Sequence, residues 1–105
     1  MGLVGRIIPY RVEHFTLKPF TIHTGTINMN EGAVFEGYLT VRGGNDDIRF
    51  YVKEKHSNKV LDIKRVQGRY DFYYQAISEG FYTLYLDNRF SWITSKEVYI
   101  HYRVR

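Results

Sequence analysis

The chain has 105 residues, no cysteine and a formal charge of +4, with its 15 Lys and Arg scattered among 11 Asp and Glu. This length supports one modest hydrophobic core, so we expect a single domain over residues 1–105. The lack of cysteine excludes disulfides and thiolate zinc sites, and the interspersed charges argue against a nucleic-acid-binding surface. No stretch approaches the ~20 apolar residues of a membrane span. We therefore expect the chain to be soluble as given. Its compartment is unknown, and an excised extracytoplasmic domain without its leader or anchor would have such a sequence.

The first third of the sequence predicts one or two irregular strands. Phe15, Leu17, Phe20 and Ile22 supply apolar positions, and Pro19 interrupts them. Because proline cannot donate a ladder hydrogen bond, we expect Pro19 at a sheet edge or a bulge. The facing of residues 1–32 cannot be assigned from the pattern.

From Ala33 onward, large apolar residues occupy every second position, which is typical of half-buried strands. The first such strand has the inward set Ala33, Phe35, Gly37, Leu39 and Val41, and the next has Ile48, Phe50 and Val52. Between them, Gly43-Gly44-Asn45-Asp46 predicts a hairpin turn. With Asp47, this turn also offers three oxygen-bearing side chains in a row, but we favour a plain turn over a Ca²⁺ site.

The rest of the chain repeats the same alternation between turn signals. His56-Ser57-Asn58 predicts a loop, and a weaker strand follows whose facing over residues 59–66 is not fixed. Later inward sets are Tyr70, Phe72, Tyr74 and Ala76, then Tyr82, Leu84 and Leu86, then Val98, Ile100, Tyr102 and Val104. Seven or eight short strands without a helical window predict an all-β, antiparallel β-sandwich, jelly-roll-like in type.

Residues 47–103 resemble the GOLD domain, the β-sandwich module of the emp24/gp25L/p24 family. The matching residues are Asp47 to Val52, Gly80 to Asn88, Ser91, Lys96, Val98 and Tyr99. We expect Gly80 to adopt a positive φ in a tight turn, Asn88 to tolerate left-handed geometry and Ser91 to tie its loop. The sequence lacks the paired cysteines, signal peptide, stalk and membrane anchor of the p24 proteins. The resemblance implies protein–protein interaction rather than catalysis.

The strand alternation also predicts a candidate binding surface. If Phe50, Phe72, Leu84 and Ile100 point inward, the residues between them point outward. The predicted partner-binding residues are Arg49, Tyr51, Lys53, Tyr73, Tyr85 and Tyr99. Tyr and Arg are enriched at binding hot spots, although tyrosines on strands also serve as cross-strand pairs that stabilise a sheet. Strand order decides whether these residues share one face, and the sequence does not give it.

No residue pattern predicts catalysis, a metal site or a cofactor. The four His have no partner at ligand spacing, and neither a nucleophile motif nor a phosphate-binding loop is present. Phe90, Trp92 and Ile93 are expected to cover one end of the sandwich, with an exposed binding tip as the alternative. We therefore predict a non-enzymatic module that binds a protein through its Tyr-rich face or a sheet edge. A carbohydrate-binding module is the alternative, and nucleic acid is disfavoured.

Overall fold

The computed structural model describes residues 8–56 and 58–105, and these form eight strands. The strands are β1 Arg11–Leu17, β2 Ile22–Met29, β3 Val34–Arg42, β4 Asp47–Glu54, β5 Lys59–Gln67, β6 Arg69–Gln75, β7 Gly80–Asp87 and β8 Lys96–Val104. No helix long and apolar enough to cross a bilayer occurs in these two ranges. Ser57, placed in a loop by the sequence, lies outside the described residues.

Two four-stranded antiparallel sheets make up the sandwich. One sheet has the order β1-β8-β3-β6 and the other β2-β7-β4-β5. This is the strand order of an eight-stranded jelly roll, in which most successive strands lie in different sheets. The prediction of an all-β, antiparallel sandwich of the jelly-roll type is confirmed.

The core between the sheets is built from the predicted inward positions. Phe50, Phe72, Leu84 and Ile100 are all buried. Phe72 packs its ring 4.7 Å from the Phe35 ring and 5.3 Å from the Phe50 ring, so aromatic contacts join the two sheets at their centre. The alternation read from the sequence therefore identifies the core correctly.

The predicted hairpin at residues 43–46 is wrong, although the turn itself is present. Gly43, Gly44 and Asp46 all have positive φ, and Asp46 Oδ1 accepts a hydrogen bond from Gly43 N. However, β3 pairs with β6 and β8, whereas β4 pairs with β5 and β7. The turn therefore carries the chain between sheets. In the described part of the chain, β4 and β5 are the one consecutive pair that shares a ladder.

The N-terminal third contains two edge strands joined by a turn. Pro19 lies in the β1–β2 connection, between the edges, rather than within a strand. Phe20 follows it with a φ of 65° and is exposed, so its predicted place in an apolar strand pattern is wrong.

The direction in which the β5 side chains face, which the sequence left open, is complicated by two register shifts against β4. Such irregularities break the period of two.

The expected positive φ of Gly80 and the left-handed role of Asn88 are both wrong. Gly80 is the first residue of β7 and pairs with Met29. Neither Gly80 nor Asn88 is among the residues with positive φ. Asn88 is fully buried, and its side-chain amide donates to the carbonyl oxygens of Leu17, Lys18 and Thr94. It therefore joins two connections at one end of the sandwich through tertiary hydrogen bonds. The predicted loop-tying hydroxyl of Ser91 is confirmed, because its Oγ donates to Thr94 O.

The expectation that the 90–93 segment covers the end of the sandwich is also wrong. Trp92 is 77% exposed and Ile93 is 91% exposed. Buried polar contacts around Asn88 and Lys96 lie at this end instead. The alternative, an exposed tip, describes this segment.

Candidate functional site

The outer face of the β2-β7-β4-β5 sheet brings together four of the six predicted binding residues. Arg49, Tyr51 and Lys53 alternate outward along β4, and Tyr85 stands opposite Tyr51 on β7. Lys59 faces Lys53 from β5. We call these five residues the Tyr/cation face. It forms because outward positions on neighbouring antiparallel strands lie side by side.

Tyr51 lies on this face but is covered, with only 5% of its surface exposed. Its ring stacks on Tyr85 with centroids 4.5 Å apart. The guanidinium of Arg49 and the ammonium of Lys59 lie 4.9 Å and 4.7 Å from the Tyr51 centroid. The expectation that Tyr51 is solvent-exposed is therefore wrong, and its contacts are those of the cross-strand pair that we considered as the alternative.

A hydrogen-bonded group fixes the hydroxyl of Tyr51. The hydroxyl lies 3.4 Å from Asp87 Oδ2, and Arg89 donates to both oxygens of Asp87. Burial and the nearby Asp87 charge raise the pKa of the Tyr51 phenol. Burial also acts to raise the pKa of Asp87, but the hydrogen bonds from Arg89 outweigh it and lower that pKa. At neutral pH this group is a neutral phenol beside a paired carboxylate.

The cations on this side of the protein are unequally paired. Asp62 accepts a hydrogen bond from Lys64, which lowers the pKa of the Asp62 carboxyl, and it also lies near Arg49 and Lys59. Lys53 and Lys55 are exposed, and neither has an ion pair within residues 8–56 and 58–105. The ammonium of Lys53 lies 5.6 Å from the centroid of Tyr85. This half of the face is available to an anionic group.

A shallow hollow lies at the end of the face that carries Lys53 and Lys55. It is lined by Lys53, Glu54, Lys55, Phe81, Thr83 and Tyr85, and the Glu54 carboxylate accepts a hydrogen bond from His56 N. Phe81 is exposed and Tyr85 is half-buried, so two aromatic side chains and two ammonium groups share one surface. An amphipathic surface of this kind suits a partner that presents carboxylates beside apolar groups.

Tyr73 and Tyr99, the other two predicted residues, lie on the outer face of the opposite sheet. Tyr73 is exposed on the edge strand β6, and Tyr99 is exposed on β8, so the whole of β3 separates them. Tyr99 stacks on His14 with centroids 4.3 Å apart, and His14 lies 3.3 Å from a carboxylate oxygen of Glu97. The six residues therefore divide between two faces.

The described acids and histidines do not converge. Within residues 8–56 and 58–105, no group of three His, Asp or Glu side chains is placed to hold a metal ion. Asp46 and Asp47, the carboxylates of the considered Ca²⁺ turn, point to different partners. Asp46 caps Gly43, while Asp47 binds Lys96 and Arg65.

Two residues, one on the face and one in the hollow, were not singled out from the sequence. Lys59 reaches the Tyr51 ring from β5, where the register shifts hide the facing of the strand. Lys55 follows the end of β4 and reaches the hollow because its backbone N–H bonds to Phe81 O. A cluster of Lys53, Lys55 and Lys59 in the sequence was the available signal.

Comparisons with known proteins agree with this architecture. The family model described as emp24/gp25L/p24 family/GOLD matches residues 14–105. No curated protein matches the sequence. A solved structure with a similar fold is Aeromonas hydrophila PliG, a periplasmic lysozyme inhibitor of g-type lysozyme. The TM-score is 0.56 at 10% sequence identity, over 90% of this chain and 87% of PliG. At that identity the likeness concerns the fold alone.

Proposed function

The chain belongs to the emp24/gp25L/p24 family and carries its GOLD domain, and on that premise we propose that it binds a protein partner through the Tyr/cation face and the adjoining hollow. The family supports a binding module. The single observation that carries the proposal is the exposed Lys53 and Lys55 beside Tyr85 and Phe81.

The rigidity of the face supports this function. Tyr51 is held by its stack on Tyr85 and by the Asp87 and Arg89 group, so Tyr85 is supported from one side. A preorganised aromatic side chain loses little conformational entropy when a partner covers it. Tyr51 is therefore the support of the binding surface, and Tyr85 with Phe81 makes the contact.

Charge supports an acidic partner surface. Lys53 and Lys55 are exposed and lack carboxylate partners in the described part of the chain, so a partner carboxylate would not have to displace an internal one. Complementary charge at the rim of an interface mainly raises the association rate and selects the partner. We expect binding to weaken as salt concentration rises.

The adjoining edge strand β2 extends the surface. Ile22–Met29 contains no Asp, Glu, Lys or Arg, and Thr24 and Thr26 are exposed beside β7. The other edge strands β1, β5 and β6 all carry charged residues, which discourage the addition of a further strand. A partner strand could therefore pair with β2 and reach across to Tyr85.

Carbohydrate binding has less support than protein binding. Sugars stack on an exposed aromatic face, but the Tyr51 ring is covered by Tyr85, Arg49 and Lys59. PliG, whose fold is similar, is named as an inhibitor of a lysozyme, so this fold serves in another protein that targets an enzyme.

The GOLD resemblance also favours an extracytoplasmic location for the domain.

Site-specific photo-crosslinking tests the proposal. A benzophenone amino acid is placed at Phe81 or Tyr85, and at Tyr73 or Tyr99 as matched positions on the opposite face. We expect one discrete protein adduct in extracts of the source cells from the first pair and none from the second. Equal adducts from both pairs would contradict the proposal. Saturable quenching of tyrosine fluorescence by a small glycan, without a protein adduct, would favour the carbohydrate alternative.

A further inference from the structure

Three exposed apolar side chains protrude from one end of the sandwich. They are Phe20 in the β1–β2 connection and Trp92 and Ile93 in the β7–β8 connection, and together we call them the apolar tip. Phe20 is 60% exposed, and its ring centroid lies 6.3 Å from that of Trp92. The backbone N–H of Phe20 donates to Ser91 O at 3.1 Å, which joins the two connections. The apolar tip is separate from the Tyr/cation face.

The backbone at Phe20 is held in an unfavourable conformation. Its φ of 65° lies in the left-handed region, which bulky side chains seldom adopt. This conformation leaves the ring exposed rather than burying it, so neither the strain nor the exposure contributes to folding stability. A strained residue that presents an apolar ring to solvent is characteristic of a binding element.

The tip is preorganised by hydrogen bonds behind it. Ser91 Oγ donates to Thr94 O and accepts from Thr94 N, and the Asn88 amide donates to Leu17 O and Lys18 O. The paired backbone groups lower the cost of taking the loop out of water. These hydrogen bonds hold the base of the tip, so Trp92 and Ile93 project from a fixed support.

Two cationic side chains lie at the same end of the sandwich as the apolar tip. Lys18 precedes the Phe20 turn and Arg42 ends β3 at the same end of the sandwich, and both are exposed. Neither forms an ion pair with any residue in the ranges that the structure describes. Among nearby carboxylates, Asp87 is neutralised by Arg89 and Glu97 accepts hydrogen bonds from Thr16, while Asp46 is exposed.

The size and shape of the tip select a lipid bilayer over a folded protein. An aromatic side chain buries about 150–250 Å², so the rings of Phe20 and Trp92 together present at most roughly 500 Å². A standard protein interface buries roughly 800 Å² per partner. Interfacial membrane binding needs only a few inserted apolar side chains with cations at the headgroup level. We propose that the apolar tip inserts into the interface of a phospholipid membrane, with Lys18 and Arg42 contacting anionic headgroups.

Trp92, the only tryptophan of the sequence, makes the proposal directly measurable. The protein is titrated with vesicles of phosphatidylcholine alone and with vesicles that also contain phosphatidylserine. We expect a blue shift of Trp92 emission, quenching by brominated acyl chains, and tighter binding to the phosphatidylserine vesicles. The Ile93→Ser variant should lower the partition coefficient about tenfold, since apolar area is lost while the Trp92 reporter stays.

Ile77→Ser is the matched control, because Ile77 is 82% exposed in the β6–β7 connection at the opposite end. It should leave vesicle binding unchanged, and Lys18→Glu with Arg42→Glu should abolish the preference for phosphatidylserine. Circular dichroism establishes that each variant is folded. Unchanged Trp92 emission with both vesicle types, or equal losses in Ile77→Ser and Ile93→Ser, would overturn the proposal. So would a protein cross-linked at Ile93 when vesicles have no effect.

Discussion

The ammonium group of Lys96 lies 2.9 Å from Oδ1 of Asp47, and both residues are buried. Lys96 begins β8 in one sheet and Asp47 begins β4 in the other, so the contact joins the sheets at the end that carries the apolar tip. Lys96 also donates to Asp47 O at 2.7 Å and to Asn88 Oδ1 at 3.1 Å. All three hydrogen atoms of the ammonium therefore have acceptors, which is what allows a lysine to be buried.

Replacing Lys96 by Met should destabilise the fold strongly. The change leaves Asp47 O and Asn88 Oδ1 without their donor and removes a counter-charge from a buried carboxylate, which costs about 3–5 kcal/mol. Urea unfolding followed by circular dichroism measures the difference. Lys64→Met is the control, because Lys64 pairs with Asp62 at an exposed position and its loss should cost under about 1 kcal/mol. Similar values for the two variants would contradict this role of Lys96.

Gly37 is predicted to tolerate no side chain. A Cβ there would lie 1.8 Å from His101 O in the neighbouring strand β8, so Gly37→Ala forces two central strands apart. We expect a loss of at least about 2 kcal/mol in the free energy of unfolding. Gly25→Ala on edge strand β2 is the matched change, since nothing lies within 4 Å of its Cβ position. The Gly25 variant should unfold within about 0.5 kcal/mol of the parent, and a larger effect there than at Gly37 would refute the steric explanation.

Glu36 should make the protein sensitive to acid. Hydrogen bonds from Arg105 and Arg103 lower the pKa of its carboxyl from 4.5 to about 2. Because the folded pKa is below the unfolded one, this contribution to stability is fully present above pH 4.5 and is lost as the pH falls towards 2. We expect the melting temperature to fall more steeply over this range in the parent than in Glu36→Gln. Glu31→Gln, in the exposed β2–β3 turn, should behave like the parent, and parallel curves for all three proteins would count against the prediction.

Tyr51 should contribute more to the stability of the fold than an exposed tyrosine does. Tyr51 is 5% exposed beneath Arg49 and Lys59, so Tyr51→Ala should cost about 3 kcal/mol or more of stability. Tyr73→Ala, on an exposed edge strand, should cost under about 1 kcal/mol. Thermal unfolding of the two variants measures the contrast. Equal melting temperatures would show that the buried stack does not support the sheet.

The side-chain alternation of the sequence predicted which residues form the core. Phe50, Phe72, Leu84 and Ile100 are buried as expected, because a period of two depends only on local strand geometry. The pairing of the strands was not predictable in the same way. Residues 43–46 form a true turn, but whether a turn closes a hairpin or crosses to the other sheet depends on contacts far along the chain.

The candidate site was predictable only in part, for a related reason. Arg49, Lys53 and Tyr85 lie on one outer face, but the sequence cannot show that strand order sends Tyr73 and Tyr99 to the other sheet. Nor could it show that an outward Tyr51 would be covered by neighbouring strands. Trp92 was expected to be buried because large apolar residues usually are, whereas buried polar contacts around Asn88 and Lys96 lie at that end instead.

Charge reversal on the Tyr/cation face is the most direct measurement of whether this surface binds the partner. The partner recovered by photo-crosslinking is titrated calorimetrically with the parent, with Lys53→Glu/Lys55→Glu and with the control Lys18→Glu/Arg42→Glu at the other end of the sandwich. We predict that the Lys53 and Lys55 variant binds at least about tenfold more weakly, with a smaller salt dependence, and that the control binds like the parent. Parent-like affinity in the Lys53 and Lys55 variant would contradict the assignment of this face.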